Sequence, residues 1–495
     1  MTPARFRWTA ELAVAIASAD AQVIQERVLR EDGQEDLCFI LWHPSTGATR
    51  TSAVVADIVL PMREERHVHG NVDFTGAYFL RAAAMAVERG CGLGLLHSHP
   101  GGQGWQGLST DDRRAEGGHA AQASSITGLP LLGLTVAGDG HWSGRFWRRL
   151  GARTYQSVDC RSVRRAGDRF DVSFDPAQVL PPGHLDNQRR SVAAWGPRVQ
   201  AAMARLHVGV VGAGSVGALI AESLARLGVG RISILDFDTL EEHNLDRQLH
   251  SRPHLVGRAK ATLLADATRM SATASGAVVA AYEESICEPE GFAHALDCDV
   301  LFSCVDRPWP RAVLNLLAYA HLIPVIDGGI FVDSRSSHFR GADWRAHTAG
   351  PGRRCLECLG QFDPGLVQAE RDGYLDDPRY IQGLDPDHPL RRNENVFAFS
   401  VGCAGLELAQ FVCMVAAPSG IADPGPQHYS LVTGTTDRDE RLCEPTCLYT
   451  HDLKSLADDA PVRVTGTHAA AVAARAGRAQ QQVSASESAS GSRRS

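Results

Sequence analysis

This sequence of 495 residues has fewer basic than acidic residues and no long apolar run, and its amino terminus lacks the pattern of a leader peptide. Lys and Arg total 49 against 57 Asp and Glu, so the formal net charge is -8 and no basic segment stands out. A general nucleic-acid-binding surface is therefore not expected. The apolar runs LHVGVVGAG and VLFSCV are far shorter than the ~20 residues of a membrane-spanning helix. The amino-terminal MTPARFRWTAEL also lacks the basic-then-apolar pattern of a signal peptide.

These absences predict a cytoplasmic protein without nucleic-acid or membrane partners. In a reducing compartment the 12 cysteines are expected to be thiols or metal ligands rather than disulfides. The chain is long enough for two or three domains, each able to bury its own core.

Changes in hydrophobic periodicity divide this α/β sequence into four parts. Residues 1–150 predict a mixed α/β domain that begins with a helix over 11–28 and continues with strands and a second helix. The Pro- and Gly-punctuated stretch 151–187 predicts a linker. Residues 188–455 open as strand, Gly-rich turn, helix and strand, which indicates a doubly wound, Rossmann-like sheet. The part 456–495 has few large apolar residues and is expected to be disordered.

The first chemical motif is HSHPGGQGWQGLSTDD, which starts at His97. His97 and His99 lie two residues apart at the end of an apolar strand, so their side chains share one face. Together with Asp112 they supply two imidazoles and a carboxylate, which leaves one coordination position of a tetrahedral zinc open to water. Such a site also needs a general base and a donor for the oxyanion.

This motif resembles the JAB/JAMM-type zinc metalloproteases, whose pattern is an upstream Glu, then His-Ser-His-Pro, then Ser-x-x-Asp. The resemblance implies a cytidine-deaminase-like fold and hydrolysis of isopeptide-type bonds. It assigns His97, His99 and Asp112 to the catalytic zinc and Ser109 to the oxyanion side. Asp111 remains an alternative to Asp112, because the loop is slightly longer than is usual in the family. Glu35 is the best match for the catalytic base; the less well placed candidates are Glu31, Glu64 and Glu65.

The second motif is VGAGSVG, in which Gly212, Gly214 and Gly217 follow the strand pattern LHVGVV. Alone it equally fits a dinucleotide-binding turn, where glycines admit a phosphate close to a helix amino terminus. Asp236 would bind ribose in either case. The following Asn244-Leu245-Asp246-Arg247-Gln248 and Lys260 have no role in hydride transfer, whereas cations suit a triphosphate under attack.

The region 208–330 closely resembles the ThiF/MoeB/ubiquitin-activating family, which uses MgATP to adenylate the C-terminal Gly carboxylate of a small modifier protein. The resemblance implies a homodimer, in which Arg189 or Arg190 reaches the partner's ATP. It places Asp306 beside magnesium, followed by Arg311. The nucleotide-binding residues that it implies are Gly212, Gly214, Gly217, Asp236, Asn244, Arg247, Lys260 and Asp306, with Arg247 and Asp306 also catalytic.

Two cysteine pairs follow, Cys355-x-x-Cys358 and Cys443-x-x-x-Cys447. Four thiolates in two close pairs predict a closed structural zinc site. A thioester-forming enzyme needs another exposed, activated cysteine. Cys403 and Cys413 lie in an apolar helix pattern and Cys304 in a strand, so these three are expected to be inert. Direct transfer of the acyl-adenylate to an external thiol and thioester formation on one of these cysteines both stay open.

Three functional hypotheses follow. The leading hypothesis is a bifunctional enzyme of a prokaryotic ubiquitin-like modifier system: the first domain processes or removes the modifier, and the second activates it for a conjugating enzyme. The second is a sulfur-carrier activator of the thiamine, molybdopterin or cysteine type. The third is an adaptor in which one domain is degenerate. The expected ligands are zinc, ATP and magnesium, and the expected partner is a modifier or sulfur carrier that ends in Gly.

Overall fold

Two β-sheets, each flanked by helices, organise the computed structural model of the chain. The structure describes residues 6–69, 71–152, 154–180, 182–183, 186–335, 338–383 and 394–491. The first sheet has nine strands and the second has eight. This arrangement confirms the predicted α/β class.

The amino-terminal domain is built on the nine-stranded sheet, with strand order β11-β10-β1-β3-β2-β6-β7-β8-β9. Parallel and antiparallel neighbours are mixed, since β1 runs parallel to β10 and β3 while β2 runs antiparallel to β3 and β6. Its elements are β1 (Glu11–Ala17), α1 (Ser18–Val28), β2 (Leu37–Thr46), β3 (Arg50–Val59), β4 (Arg66–His69), β5 (Asn71–Phe74), α2 (Gly76–Glu88), β6 (Gly92–His99), α3 (Thr110–Thr127), β7 (Leu132–Ala137), β8 (Trp142–Arg149), β9 (Tyr155–Asp159), β10 (Ser162–Ala166) and β11 (Asp171–Phe174).

Two predictions for this domain were wrong. Residues 11–28 are not one helix, because the apolar run ELAVAIA forms the buried strand β1 and only residues from Ser18 onward are helical. Residues 151–187 are not a linker, because they contain β9, β10 and β11. β10 pairs with β1, the first strand of the domain. Residues 151–187 are therefore part of the nine-stranded sheet.

The second domain begins with α4 (Arg189–Arg205), and its sheet has the order β14-β13-β12-β15-β16-β17-β18-β19. The strands from β14 to β16 are parallel and have the order of a doubly wound sheet. The remaining elements are β12 (His207–Val211), α5 (Ser215–Leu227), β13 (Arg231–Leu235), α6 (Lys260–Ser271), β14 (Val278–Tyr282), α7 (Pro289–Leu296), β15 (Val300–Ser303), α8 (Pro308–Ala320), β16 (Val325–Asp333), β17 (Gly341–Ala349), α9 (Pro364–Arg371), α10 (Pro378–Gly383), α11 (Phe397–Ala416), β18 (Gln427–Ser430), β19 (Thr435–Arg438) and α12 (Ala469–Gly491).

The end of the chain is ordered where the structure describes it, so the prediction of a disordered segment 456–495 was wrong. α12 spans Ala469–Gly491, and residues 492–495 lie outside the described part. Ala471 is buried and Arg475 pairs with Glu288. Although large apolar residues are few here, small residues and arginine pairs dock the helix.

The two domains meet through a buried polar interface and a shared core. Arg50, the first residue of β3, is fully buried and pairs with the buried Asp299 at 2.6 Å. Phe174 and Ala166 of the first domain belong to the same hydrophobic cluster as Val208 of β12. Asp299 and His207 stand at the amino ends of β15 and β12, and the Asp299 carboxylate accepts from the His207 N–H. The carboxyl ends of these parallel strands therefore face away from the first domain.

Helix α11 has the length and apolar composition of a membrane span. The expectation that no segment reaches that length was therefore wrong. One face of α11 packs against the second sheet, where Phe411 and Met414 are buried in the core. A long core helix meets the same criteria, so this feature is weak evidence for a membrane.

Candidate functional site

Three of the predicted metal ligands converge at the carboxyl end of β6. One donor atom from each of His97, His99 and Asp112 lies within 4.8 Å of the other two. The Nε2 atoms of the histidines are 3.1 Å apart, and His99 Nε2 is 3.5 Å from Asp112 Oδ2. Two donors on one tetrahedral zinc lie about 3.3 Å apart when each bond is about 2.0 Å long. The donor set therefore fits a zinc ion with one open position.

Local structure brings Asp112 to the histidines. Ser109 is the N-cap of α3: its hydroxyl accepts from the Asp112 N–H at 3.0 Å, and the Asp112 carboxylate accepts from the Ser109 N–H at 3.1 Å. This reciprocal capping box orients the carboxylate toward β6. Asp111 is exposed to solvent on the same turn. The structure thus gathers Asp112 rather than Asp111, and it shows Ser109 holding that ligand in place.

The neutral form of His97 suits metal binding, whereas a metal ion would have to displace the proton that Asp112 favours on His99. Burial lowers the pKa of His97 to about 3, so this imidazole is neutral. Hydrogen bonding to Asp112 raises the pKa of His99. His99 Nδ1 lies 3.4 Å from Gln106 Oε1, and a hydrogen bond there would leave Nε2 free to face the metal. A neutral imidazole with its second nitrogen held in this way is the usual form of a histidine ligand.

Glu35 lies just before β2, within electrostatic range of this cluster. Burial raises the pKa of its carboxyl; the charge of His99 opposes the rise and that of Asp112 adds to it. The alternatives are placed elsewhere, since Glu31 and Glu64 are exposed and Glu65 pairs with Arg81. Of the four, Glu35 is therefore the one for which an interaction with this group is observed.

Ser98, the residue between the two histidines, fixes the backbone next to Glu35. The Ser98 hydroxyl accepts from the Asp36 N–H at 3.0 Å, and the Ser98 N–H donates to the Asp36 carbonyl at 3.0 Å. The Asp36 carboxylate is fully buried and pairs with Arg66 at 2.8 Å. Ser98 and Asp36 therefore lock the start of β2 to the metal-binding end of β6.

The sequence analysis missed a buried ion pair behind the ligand helix. Glu116, one helical turn after Asp112, accepts from Arg145 Nε at 2.9 Å, and both side chains are 2% exposed. Arg145 also donates to Thr135 Oγ1 at 2.9 Å. Thr135 is paired with His97 across β7 and β6, so the network ties α3 to the strand with the histidines. The spacing of four residues between Asp112 and Glu116 could have indicated that both lie on the same face of α3.

The second site lies at the carboxyl edge of the second sheet, where β12 turns into α5. Gly212 has φ +97°, and a Cβ there would lie 2.4 Å from the Cys304 carbonyl oxygen. A Cβ at Gly217 would lie 1.9 Å from the Gly212 carbonyl oxygen, so the turn requires glycine at both positions. At Gly214, the residue before α5, a Cβ would meet no atom within 4 Å. The helix amino terminus is thus open to a phosphate group.

Asp236 follows β13 and lies beside this turn. Its carboxylate accepts from the Ala213 N–H at 2.6 Å and from the Asp238 N–H at 2.7 Å. Burial, followed by the charge of Asp238, raises the pKa of Asp236 to about 6. Lys260 Nζ pairs with Asp238 at 2.9 Å. The carboxylate predicted to bind ribose and a cation are therefore close together at this edge.

Asp306 completes the edge from the opposite side of β12. It follows β15, is exposed, and adds to the charges of Asp236 and Asp238 that raise the pKa of Lys260 against the effect of burial. Arg311 donates to the Val305 carbonyl at 2.8 Å and pairs with the buried Asp327 at 2.9 Å. Arg311 thus fixes the backbone just before Asp306.

Four other predicted residues have mainly local surroundings. Asn244 is buried in a short helical turn and its side-chain oxygen accepts from the Glu241 N–H at 3.0 Å. Arg247 pairs with Asp246 at 2.9 Å and donates to the His243 carbonyl. Arg189 and Arg190 are exposed at the start of α4. The structure therefore does not bring these side chains onto the glycine turn.

Two residues that the sequence analysis missed reach the open helix terminus. Asn395 Nδ2 and Ser400 Oγ each donate to Ser215 Oγ at 2.9 Å. Ser215 is the first residue of α5, directly after Gly214. The start of α11 therefore closes the nucleotide turn from the far side, which no local sequence pattern indicates.

The four paired cysteines converge into one group. The sulfur atoms of Cys355, Cys358, Cys443 and Cys447 all lie within 4.8 Å of one another. The Cys355 N–H donates to Cys443 Sγ at 3.1 Å, and hydrogen bonding lowers the pKa of Cys443 to about 6. N–H donors that face sulfur favour thiolates, and four thiolates fit a closed tetrahedral zinc site.

The remaining candidate cysteines lack the surroundings of a nucleophile. Cys403 is buried, Cys304 and Cys413 are partly buried, and burial raises the pKa of all three thiols. A reactive thiolate needs exposure and a lowered pKa. All twelve cysteines lie in the described ranges, and every one is free of disulfides.

The open helix terminus, the partly buried Asp236 and the adjacent Lys260 fit a nucleotide-binding domain of the doubly wound α/β class. Residues 185–422 match the ThiF family. This part of the chain therefore resembles a ThiF-family domain, which supports that part of the predicted resemblance.

Several known proteins are similar to parts of this chain. Molybdopterin-synthase adenylyltransferase of Escherichia coli K12 is 29% identical over 33% of this chain and 62% of its own length. Ubiquitin-like modifier-activating enzyme 5 of rice (Oryza sativa subsp. japonica) is 30% identical over 27% of this chain and 34% of its own length. The tRNA threonylcarbamoyladenosine dehydratase of Escherichia coli K12 is 29% identical over 27% of this chain and 50% of its own length. The chain thus spans less than two thirds of each relative.

Among solved structures, Escherichia coli MccB in complex with AMPCPP and MccA aligns with a TM-score of 0.42 and 16% identity. The alignment covers 55% of this chain and 75% of that protein.

Proposed function

We propose that this protein is a bifunctional enzyme of a ubiquitin-like modifier system. The second domain adenylates the C-terminal Gly carboxylate of the modifier, and the first hydrolyses the peptide or isopeptide bond after that Gly. The observation that carries the proposal is the presence of two separate groups of polar residues in one chain. One is the metal-binding group at His97, and the other is the glycine turn with Asp236, Lys260 and Asp306.

Adenylation follows from the charges at the second site. The open amino terminus of α5 and Lys260 receive the phosphates, Asp236 binds the ribose, and Asp306 holds magnesium. The modifier carboxylate attacks the α-phosphorus and pyrophosphate leaves. Arg247 and Asn244 would have to move from their local partners to reach the phosphates. We infer that this loop rearranges when ATP binds.

Hydrolysis follows from the first site. A zinc ion on His97, His99 and Asp112 would supply a Lewis acid for a water molecule and the scissile carbonyl. Glu35 takes the proton of the attacking water and returns it to the leaving amine. Its raised pKa suits both steps, because a base that later serves as an acid works best near the operating pH. Ser109 stabilises the oxyanion if its hydroxyl leaves the Asp112 N–H.

The two sites lie apart in the fold. The zinc site is at the beginning of β2, whereas the turn after β2 contacts the second domain. The nucleotide site is at the edge of the second sheet that faces away from the first domain. Processing and activation therefore take place in separate encounters with the modifier.

The fate of the acyl-adenylate follows from the cysteines. Because burial raises the pKa of Cys304, Cys403 and Cys413, we infer direct transfer to an external thiol. That thiol belongs to a conjugating enzyme, or to a sulfur donor if the partner is a sulfur carrier as in the molybdopterin relative. We also propose a cytoplasmic homodimer formed through the adenylation domain. An adaptor with one degenerate domain is disfavoured, because both sites keep their polar residues.

ATP–pyrophosphate exchange with small ubiquitin-like proteins tests the proposal. Each candidate is supplied as a mature form ending in Gly and as a precursor with extra carboxyl-terminal residues. Exchange is expected with the mature form, and with the precursor only while His97 and His99 are intact. The two pathways are separated by the later step, in which the acyl group is transferred and AMP leaves: that step should require either a conjugating enzyme or a sulfur donor. A chain that supports no exchange with any candidate, although it cleaves the precursors, would contradict the adenylation half.

The cysteine group at Cys355 is proposed to hold a structural zinc. Replacing Cys443 with Ser is expected to remove about one equivalent of zinc and to destabilise the chain by several kcal/mol, because metal binding contributes directly to folding. Cys413→Ser is the matched control, since Cys413 lies outside the group and is only partly buried. Zinc content by mass spectrometry and thermal unfolding are the measurements. Full zinc content in the Cys443 variant would contradict the assignment.

A further inference from the structure

The segment Val464–Arg478, here called the carboxyl-terminal strap, lies against the edge of the second sheet that carries the nucleotide site. It follows the region matched to the ThiF family, which ends at residue 422. Trp309 Nε1 donates to the Val464 carbonyl at 2.8 Å, and the Gly466 N–H donates to the Cys287 carbonyl at 2.9 Å. The strap is therefore anchored beside α7 and α8 before α12 begins.

His468 contacts two aromatic residues beside the nucleotide site, one just after β13 and the other at the start of α8. Its ring centroid is 4.9 Å from that of Phe237 and 5.3 Å from that of Trp309, both in edge-on geometry. Phe237 stands between Asp236 and Asp238 after β13, and Trp309 stands shortly after Asp306. His468 is buried, and its Nδ1 lies 2.8 Å from Ser285 Oγ. The strap therefore forms part of the wall at this edge.

Arg478, on α12, holds one particular peptide unit of that wall. Its guanidinium donates to the Phe237 carbonyl and pairs with the Glu283 carboxylate at 3.2 Å. The N–H of the same Phe237–Asp238 peptide donates to Asp236 Oδ1 at 2.7 Å. Only 12% of the Arg478 side chain is exposed, so solvent weakens the contact little. Arg478 thus orients the peptide that orients the ribose-binding carboxylate.

We propose that His468 and Arg478 belong to the nucleotide site and that Arg478 is a positioning residue for the ATP ribose, acting through the Phe237–Asp238 peptide. This inference rests on the proposed adenylation function. It assigns ribose recognition partly to a segment beyond the matched family region. Because Asp236 is partly buried and accepts from the N–H groups of Ala213 and Asp238, its carboxylate depends on these donors for correct orientation.

The test compares binding of MgATP and of its 2′,3′-dideoxy analogue to the full-length chain by calorimetry. Arg478→Ala is expected to weaken ATP binding on the order of tenfold, as for loss of one charge-assisted hydrogen bond. Binding of the dideoxy analogue is expected to change less than about twofold, since it lacks the hydroxyls that Asp236 would bind. Arg478→Lys keeps one donor and should restore most of the preference for ATP.

Arg475→Ala is the matched control, because Arg475 lies three residues earlier on α12 and pairs with Glu288 instead. It should leave both affinities within about twofold of the parent. An equal loss for both nucleotides, an equal loss in the control, or no loss in Arg478→Ala would overturn the inference. If the parent chain binds neither nucleotide, the proposed adenylation function fails together with this inference. If the parent binds ATP and Arg478→Ala gives one of the results above, only the inference about Arg478 fails.

Discussion

Glu35→Gln should lower the rate of precursor cleavage by about 10³-fold while zinc content stays unchanged. A positioned general base contributes about 10²–10⁴-fold to such a reaction, and Gln has nearly the shape of Glu but cannot accept the proton. Glu35 is not in the metal-binding group, so the ion should remain. The measurements are initial cleavage rates of a ubiquitin-like precursor, together with zinc content by mass spectrometry.

Glu31→Gln is the matched control for this experiment. Glu31 precedes Glu35 in the same loop but is exposed, and cleavage should stay within about twofold of the parent. ATP–pyrophosphate exchange with the mature modifier should be normal in both variants, because the nucleotide edge faces away from the first domain. A Glu35 variant that cleaves at the parental rate would remove Glu35 from the mechanism and leave the proposed base unassigned.

The second large effect is expected at the adenylation site. Asp306→Asn should lower ATP–pyrophosphate exchange by at least about 10²-fold, the usual cost of losing one group that stabilises charge in a transition state. The amide keeps the size of Asp306 but binds magnesium poorly, because hard divalent cations prefer carboxylate oxygens. The expected signature is a higher magnesium concentration for half-maximal exchange, with precursor cleavage unchanged.

Asp266→Asn provides the control for Asp306. Asp266 lies on α6 near Lys260 but pairs with Arg269 at 2.6 Å and is about half exposed. Its exchange rate should match the parent within about twofold. If both variants lose exchange equally, the loss reflects general electrostatics at this edge rather than magnesium held by Asp306.

Several features could be predicted because their signal is local. The spacing of His97 and His99 places both rings on one face of any strand, and Ser109 caps the turn that carries Asp112 whatever the rest of the fold. The close approaches at Gly212 and Gly217 demand glycine within a single strand–turn–helix unit. Each cysteine pair is likewise local, although only the tertiary structure brings the two pairs together. Residues whose roles depend on neighbours in the sequence could therefore be predicted from the sequence.

Other features could not be predicted, because they depend on pairing across long separations. The run ELAVAIA was assigned to a helix, but β1 exists because β10 and β3 flank it on both sides. The same β10 lies in the stretch predicted as a linker. Strand formation is decided by cross-strand partners, and Pro and Gly between short strands look like a linker until those partners are known.

The sequence by itself determined the chemistry of this protein: two histidines and a carboxylate for a metal, a glycine turn with a carboxylate and a lysine for a nucleotide, and four thiols for a second metal. Only the tertiary structure decided which elements surround that chemistry. Arg145 behind Asp112, Asn395 on Ser215 and Arg478 on Phe237 come from distant parts of the chain. Hydrogen bonds and burial act at a few ångströms in space, and sequence spacing does not report such distances between remote residues.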